Sequence, residues 1–251
     1  MQLNGIMLHS IKEYGFPKTL DNSDFGENTD IGANPPVAKL CNISSIVSRV
    51  CCITERQRRK GMNEVSAIKN ERVLVQIRNT LRGAEKWRDY ALFRCGMNFG
   101  LRVSDLLRLE VMDVRSSDGS IKSSFQIREQ KTGKTRVVTI NDGAREGLEI
   151  YFGNVDLNDC DPLFKNQSTG KSLSRSQVWR LMNEWTWNAG LKNIRIGSHS
   201  MRKTWGFHAL KKGVPLELIQ KRFNHKSQAT TLRYIGVEAS DIEKVEREII
   251  L

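Results

Sequence analysis

The stretch KTGKT, from Lys131 to Thr135, has the composition of a tight β-turn, since Gly133 can adopt the positive φ angle that such turns need. Strand-forming residues lie on both sides of it, in residues 121–129 and residues 136–140. Residues 109–114 are expected to finish a helix and open a further strand. The rest of the chain lacks strand-like alternation. The sequence therefore predicts a small antiparallel sheet in a chain that is otherwise helical.

Apolar residues recur at helical spacing through most of residues 63–251. Gly100 and Gly190 each follow such a segment as stop signals, and Ser174 has the character of an N-cap. The predicted fold class is mainly α with a small antiparallel β-sheet (α+β). Helices are expected at 63–80, 84–98, just after Gly100, 141–152, 174–189, 199–211, 215–222, 227–235 and 240–251.

Residues 1–62 differ from the rest of the chain. Residues 14–38 are rich in Gly, Pro, Asn and Asp and show no lasting periodicity. The sequence predicts a partly disordered extension at 1–62 and one compact domain at 63–251. The basic run at 56–60 fits a contact to a DNA backbone or a solvated surface, and the residues leave both open.

The formal net charge is +12, and residues 1–40 hold more acidic than basic residues, so the excess positive charge lies beyond them. A domain with this balance attracts polyanions, of which nucleic acid is the common one, although solubility alone is an alternative. No apolar run approaches the about 20 residues of a membrane span, and the N-terminus lacks the pattern of a secretion signal. We expect a cytoplasmic protein without a membrane partner. The cysteines show no CxxC spacing, so we expect free thiols and no zinc site.

The segment from Ser198 to Gly236 contains His199, Arg202, His225 and Tyr234. Such groups suit chemistry on a phosphate: a guanidinium matches two phosphate oxygens, an imidazole moves a proton, and a phenol can attack phosphorus. Each residue also has a structural interpretation. His199 can be a cap, His225 can be a core residue with its polar atoms satisfied, and the tyrosine can pack against its neighbours.

Two further cations complete the candidate set. Arg102 begins the short helix after Gly100, where it can also form an ion pair with Asp105, and Lys131 lies at the hairpin tip. The segments FGLRVSDLLRLEVMDV, QKTGKTR, HSMRK and NHKS, followed by a tyrosine, resemble the tyrosine recombinase (phage integrase) family. The resemblance covers roughly residues 64–240, the catalytic domain of that family. Any one motif is weak, but six positions in the family's order are specific.

This resemblance implies a site-specific DNA recombinase or integrase with the tyrosine recombinase catalytic-domain fold. Tyr234 would attack a DNA phosphodiester, form a 3′-phosphotyrosyl bond and release a 5′-hydroxyl. Arg102 and Arg202 would bind the non-bridging oxygens, and His199 or His225 would assist, with His199 favoured as the base. Lys131 would protonate the leaving oxygen, with Lys134 as its rival. No metal or other cofactor is required.

The resemblance also implies double-stranded DNA as the partner, a homotetramer on paired sites that exchanges the 240–251 helix, a possible accessory DNA-bending protein, and a nucleoid-associated location in the cytoplasm. A recombinase-derived DNA-binding or regulatory protein without cleavage is the alternative, and a type IB topoisomerase fits the chain less well.

Two departures from the family stand out. Asn224 replaces the usual glycine before the second histidine, and the preceding 62 residues are shorter than a full core-binding domain. His208 matches no family motif and is expected to be structural.

Overall fold

The structure is a computed structural model and describes residues 65–237 together with Asp241 and Arg247. Within residues 65–237 the chain forms nine helices and one antiparallel pair of strands. The elements in chain order are α1 (Glu71–Gly83), α2 (Trp87–Phe99), α3 (Val103–Leu106), α4 (Val111–Val114), β1 (Ser124–Arg128), β2 (Thr135–Thr139), α5 (Asp142–Asn154), α6 (Arg175–Asn188), α7 (Ser200–Lys211), α8 (Leu216–Phe223) and α9 (Gln228–Ile235). The expected fold class, mainly α with a small antiparallel sheet, is confirmed.

The first helix begins later than predicted, and long-range hydrogen bonds explain why. The sequence predicts a helix from Asn63, but α1 begins at Glu71 and is capped by the side chain of Asn70. The backbone N–H of Ile68 donates instead to Oγ1 of Thr204 on α7, at 2.8 Å. Residues 65–70 are therefore held in a non-helical conformation by a partner far away in the sequence.

The strand expected to open within residues 109–114 is wrong. Residues 111–114 form the short helix α4, because the side chains of Glu110 and Asp113 make a reciprocal capping box at its start. Among the described residues, the strand-like pairing around this position consists of two isolated bridges, one between Glu110 and Pro162 and one between Arg115 and Ile121. The hairpin itself is confirmed: β1 and β2 are antiparallel, and Gly133 between them has a φ angle of 66°.

The other helices agree with the prediction to within a few residues. Ser174 caps α6 with its side chain, as expected from the sequence, and Asn141 caps α5 in the same way. The helix expected at 240–251 falls outside the described residues except for Asp241 and Arg247, which are helical. The predicted extension at 1–62 and its boundary at residue 63 also lie outside the described residues.

The core is organised around α2, where Tyr90, Leu92, Cys95 and Phe99 are completely buried. This helix packs against α1, α5 and α7. A smaller apolar cluster, built on Phe223 of α8 with its neighbours Ile219 and Ile235, joins α8 and α9 to α7. That second cluster fixes the helix of Tyr234 against the helix of Arg202. No helix among the described residues is both long and apolar enough to span a bilayer.

Candidate active site

The six residues predicted from the sequence come from five separate segments. Arg102 lies at the junction of α2 and α3, and Lys131 lies at the tip of the hairpin. His199 is the N-cap of α7, and Arg202 is in the first turn of that helix. The remaining two lie beyond α8, His225 in the loop before α9 and Tyr234 in the last turn of α9.

Three of these residues line one cleft. Arg102, Lys131 and His199 border a space of about 260 Å³, together with Val103, Ser104, Gln130, Arg175 and Ser198. The cleft therefore receives side chains from the α2–α3 junction, the hairpin and the start of α7. Its lining contains three arginine or lysine side chains and no carboxylate, so it favours an anion.

Tyr234 lies beside this cleft, between two imidazoles. Its hydroxyl is 3.2 Å from Nδ1 of His199. Its ring is 4.9 Å from the ring of His225, measured between centroids, and the two rings meet edge to face. The ammonium of Lys203 lies 5.2 Å from the centroid of the Tyr234 ring. The phenol is thus surrounded by groups that can take its proton or stabilise its anion.

Arg202 is almost completely buried and is fixed from two sides. Nη1 donates to the carbonyl oxygen of Gly100 at 2.8 Å, and Nη2 donates to the carbonyl oxygen of Phe223 at 3.2 Å. The guanidinium also lies 4.5 Å from the centre of the Phe223 ring. Burial lowers the pKa of Arg202 to about 10, which leaves it charged near neutral pH. These contacts connect α7 to Gly100, two residues before Arg102, and to Phe223, two residues before His225.

Arg102 is oriented by a carboxylate that sequence reasoning missed. Nη1 of Arg102 donates to Oε2 of Glu129 at 2.8 Å, and Oε1 of Glu129 pairs with Arg136 at 3.0 Å. Glu129 is only 4% exposed. The sequence does carry a signal for Glu129. Every second residue of a strand lies on the same face, so Glu129 shares the buried face with Phe125 and Ile127. A carboxylate at a buried position requires a partner.

The ion pair of Arg102 with Asp105 also exists, at the longer distance of 3.9 Å. Asp105 is completely buried, and its Oδ1 accepts a hydrogen bond from the backbone N–H of Gln130 at 2.9 Å. Asp105 therefore anchors the hairpin one residue before Lys131. The rival lysine, Lys134, donates instead to Oδ1 of Asn224 at 2.9 Å and does not line the cleft.

Both histidines of the candidate site have lowered pKa values. Burial is the main cause for His199, and the positive charges of Arg202 and Arg102 add to it. The same causes, in the same order, lower the pKa of His225, whose Nδ1 lies 3.2 Å from Oγ1 of Thr231. Both imidazoles are therefore neutral near pH 7 and able to accept a proton.

His208 takes no part in this cluster. Its Nε2 lies 2.9 Å from the carbonyl oxygen of Ile68, so it joins α7 to the segment before α1, in agreement with the structural role expected for it. Among the described residues, no group of three His, Cys, Asp or Glu side chains has an arrangement that could hold a metal ion.

Residues 69–240 match the model of the phage integrase family, which is more than half of the chain. The chain belongs to this family. A relative from Bacillus subtilis (strain 168), described as a probable integrase/recombinase YoeC, is 34% identical over 177 residues, which cover 70% of this chain and 92% of the relative. Against three other curated relatives, each described as a tyrosine recombinase, the aligned part spans 63%, 53% and 57% of their length. Membership confirms the enzyme class expected from the sequence, a tyrosine-type site-specific recombinase.

Two solved structures share the fold. The XerA recombinase aligns with a TM-score of 0.57 at 21% identity, over 71% of this chain and 61% of the other. The XerH site-specific recombinase, bound to palindromic difH substrate in a post-cleavage complex, aligns with a TM-score of 0.55 at 22% identity, over 70% of this chain and 49% of the other. At these identities the likeness concerns the fold alone.

The departure at Asn224 has a simple explanation in the backbone. Asn224 ends α8 with a φ angle of 54°, in the left-handed region where glycine is favoured and asparagine is tolerated. The tight turn before the second histidine of the phage integrase family is therefore kept. The substitution also supplies the amide oxygen that binds Lys134.

Proposed function

We propose that this recombinase cuts and rejoins double-stranded DNA with Tyr234 as its nucleophile. The observation that carries the proposal is the 3.2 Å distance between the Tyr234 hydroxyl and Nδ1 of His199, at the border of a cleft lined by Arg102 and Lys131. A phenol has an ordinary pKa of about 10, so at neutral pH it needs a base as it attacks. A neutral His199 with its own proton on Nε2 supplies that base.

The proposed reaction is a transesterification, in which one phosphate ester is exchanged for another. The phenolic oxygen of Tyr234 forms a bond to phosphorus while its proton passes to Nδ1 of His199. The bond between phosphorus and the 5′-oxygen breaks, and Lys131 gives that oxygen a proton, because an alkoxide is a poor leaving group. The phosphotyrosyl ester keeps the energy of the original linkage, so a 5′-hydroxyl can reverse the step without ATP.

The arginines stabilise the negative charge on the non-bridging oxygens in the pentavalent transition state. Arg102 lies in the cleft and offers a fork of N–H donors to the non-bridging oxygens. Arg202 adds a second positive charge, which the carbonyl oxygens of Gly100 and Phe223 hold in place. Because Glu129 and the carbonyl oxygens fix both guanidinium groups before DNA binds, little reorganisation is needed when the substrate arrives. His225 packs against the Tyr234 ring and holds it toward His199.

The proposed partner is duplex DNA, supported by the net charge of +12 and by the DNA-bound XerH relative. Assembly of a homotetramer on two sites, with help from an accessory DNA-bending protein, and residence at the nucleoid in the cytoplasm are further parts of the proposal. The C-terminal helix that would be exchanged between subunits lies largely outside the described residues.

A nicked duplex tests the cleavage step. The duplex is taken from the DNA that flanks the gene, chosen for inverted repeats around a short spacer, with a nick beside the cleavage position so that the released end diffuses away. We expect a covalent protein–DNA adduct that survives denaturation with the wild type and disappears with Tyr234→Phe. An adduct of equal yield with Tyr234→Phe would contradict the assignment of the nucleophile. A bound duplex without any adduct would contradict cleavage itself.

A further inference from the structure

A second groove continues from the candidate active site. It is lined by Ser104, Leu107, Arg108, Gln130, Ser172, Leu173 and Arg175. Three of these residues, Ser104, Gln130 and Arg175, also line the cleft that contains Arg102, Lys131 and His199. The two spaces therefore share an edge, and together they form one trough with Arg175 near its middle.

The trough is positively charged along its length. Four arginine or lysine side chains line it, Arg102, Lys131, Arg175 and Arg108, and its lining contains no carboxylate. One phosphate bound near Arg102 and Lys131 would neutralise the positive charge at only one end of the trough. A ligand that matches the whole trough carries anionic groups at regular intervals, and the backbone of a DNA strand is such a ligand.

Arg175 is placed to contact this backbone. It is the first residue of α6, and it is exposed. Within the described part of the chain, its side chain has no hydrogen-bond or ion-pair partner. Arg102 and Arg202, by contrast, are already bound to protein groups. The guanidinium of Arg175 can thus turn toward an arriving phosphate without breaking an existing contact.

We propose that Arg175 binds the phosphate next to the scissile one on the cleaved strand. The proposal rests on the proposed function, which places the scissile phosphate beside Arg102. A contact to a neighbouring phosphate sets the register of the strand relative to Tyr234 and contributes to affinity, but it does not touch the reacting atoms. Arg175 is therefore a positioning residue, and its loss weakens DNA binding more than it slows the chemical step.

The first experiment measures the affinity for a duplex of arbitrary sequence at several salt concentrations, with the wild type, Arg175→Gln and Arg180→Gln. Arg180 lies on the same helix, is exposed, lines neither space and is turned about 140° around the helix axis. It is therefore a control matched in charge. We expect the slope of log K against log salt to become shallower by about 0.9 in Arg175→Gln and to stay unchanged in Arg180→Gln. Equal slopes in all three proteins, or equal losses in both variants, would overturn the proposal.

The second experiment locates the contact on the cleavable duplex. Single phosphates beside the scissile one are replaced by neutral methylphosphonates. In the wild type we expect one adjacent position to weaken binding, and in Arg175→Gln the same replacement should have no further effect. A position-independent loss in both proteins would overturn the assignment. If the wild type forms no Tyr234 adduct while the difference in salt slope persists, cleavage is wrong and Arg175 still binds a DNA phosphate.

Discussion

Arg102 donates a hydrogen bond of 2.8 Å to Glu129, and this pair connects the helical part of the candidate site to the hairpin. The same carboxylate pairs with Arg136 on the second strand and accepts a hydrogen bond from Thr132 at the hairpin tip. One buried carboxylate thus holds two guanidinium groups and the turn that carries Lys131. Such support sets the position of Arg102 before any substrate is present.

Glu129→Gln should lower the free energy of unfolding. Removing one partner of a buried ion pair leaves an uncompensated charge and costs about 3–5 kcal/mol, and here two arginines lose their counter-charge. Glu149→Gln is a matched control, because Glu149 is exposed on α5. Urea unfolding of both variants measures the effect, and equal stability of the two would contradict the role given to Glu129.

The contribution of Glu129 should depend on pH. Burial alone would raise the pKa of this carboxyl, but hydrogen bonds from Arg102 and Thr132 and the charge of Arg136 outweigh it, so the pKa lies below the ordinary 4.5. A lowered pKa in the folded protein gives stability that is present above the ordinary value and is lost as pH falls through the folded value. The difference in unfolding free energy between wild type and Glu129→Gln should therefore shrink below pH 4.5. A difference that stays constant down to strongly acidic pH would contradict this linkage.

Local signals in the sequence predict much of this molecule, and of the two elements predicted wrongly, one depends on a non-local contact. Gly133, Asn141 and Ser174 act through their own backbone or the nearest turn, so the hairpin and the starts of α5 and α6 follow from sequence. The start of α1 depends on a hydrogen bond between Ile68 and Thr204, 136 residues apart, which no local pattern contains. The capping box that turns residues 111–114 into a helix is local and could have been recognised.

The candidate site shows the same division. The order of Arg102, Lys131, His199, Arg202, His225 and Tyr234 is a property of the sequence, and it predicts which residues meet. Their supports do not follow from that order. The alternation along the strand predicts that Glu129 is buried. It does not predict that Arg102 and Arg136 are its partners, because that pairing depends on how the hairpin packs against α3. Arg175 belongs to no motif, and only the shape of the trough relates it to the site.

His199 should titrate below its ordinary pKa of 6.5 in the protein without DNA, because burial and the charges of Arg202 and Arg102 oppose the imidazolium. Its capacity to accept the Tyr234 proton is then present above the lowered pKa and is lost as pH falls through it. NMR titration of the imidazole signals, assigned with His199→Gln, measures this pKa. A value at or above 6.5 would contradict the expected effect of burial and of the two arginines on the pKa of His199.

Gly206→Ala should disturb the packing that holds Tyr234. A Cβ on Gly206 would lie 2.6 Å from Cγ2 of Ile235 and 2.7 Å from Cε2 of Phe223, so α8 and α9 must move away from α7. Overpacking of this kind costs about 1–3 kcal/mol. Gly153→Ala, where a Cβ meets nothing within 4 Å, is the matched control and should be neutral or stabilising by up to about 1 kcal/mol.

Thermal or urea unfolding of the two glycine variants measures the stability, and the yield of covalent adduct measures the position of Tyr234. We expect Gly206→Ala to lower both quantities and Gly153→Ala to leave the adduct unchanged. Wild-type stability in Gly206→Ala would show that α8 and α9 yield easily and that the small apolar cluster around Phe223 is not what fixes Tyr234.

Lys131→Gln and Lys134→Gln should separate the two candidates for the general acid. Lys131 lines the cleft with Arg102 and His199, whereas Lys134 is bound to Asn224. Loss of a general acid slows the step by about 10²–10⁴-fold, and we expect that loss only in Lys131→Gln. A substrate with sulfur in place of the 5′-bridging oxygen needs no proton on the leaving group, because a thiolate is far more stable than an alkoxide. It should therefore restore adduct formation by Lys131→Gln, while Lys134→Gln shows the same modest change with either substrate. The assignment would be reversed if Lys134→Gln were the slower variant and the sulfur substrate rescued that variant instead.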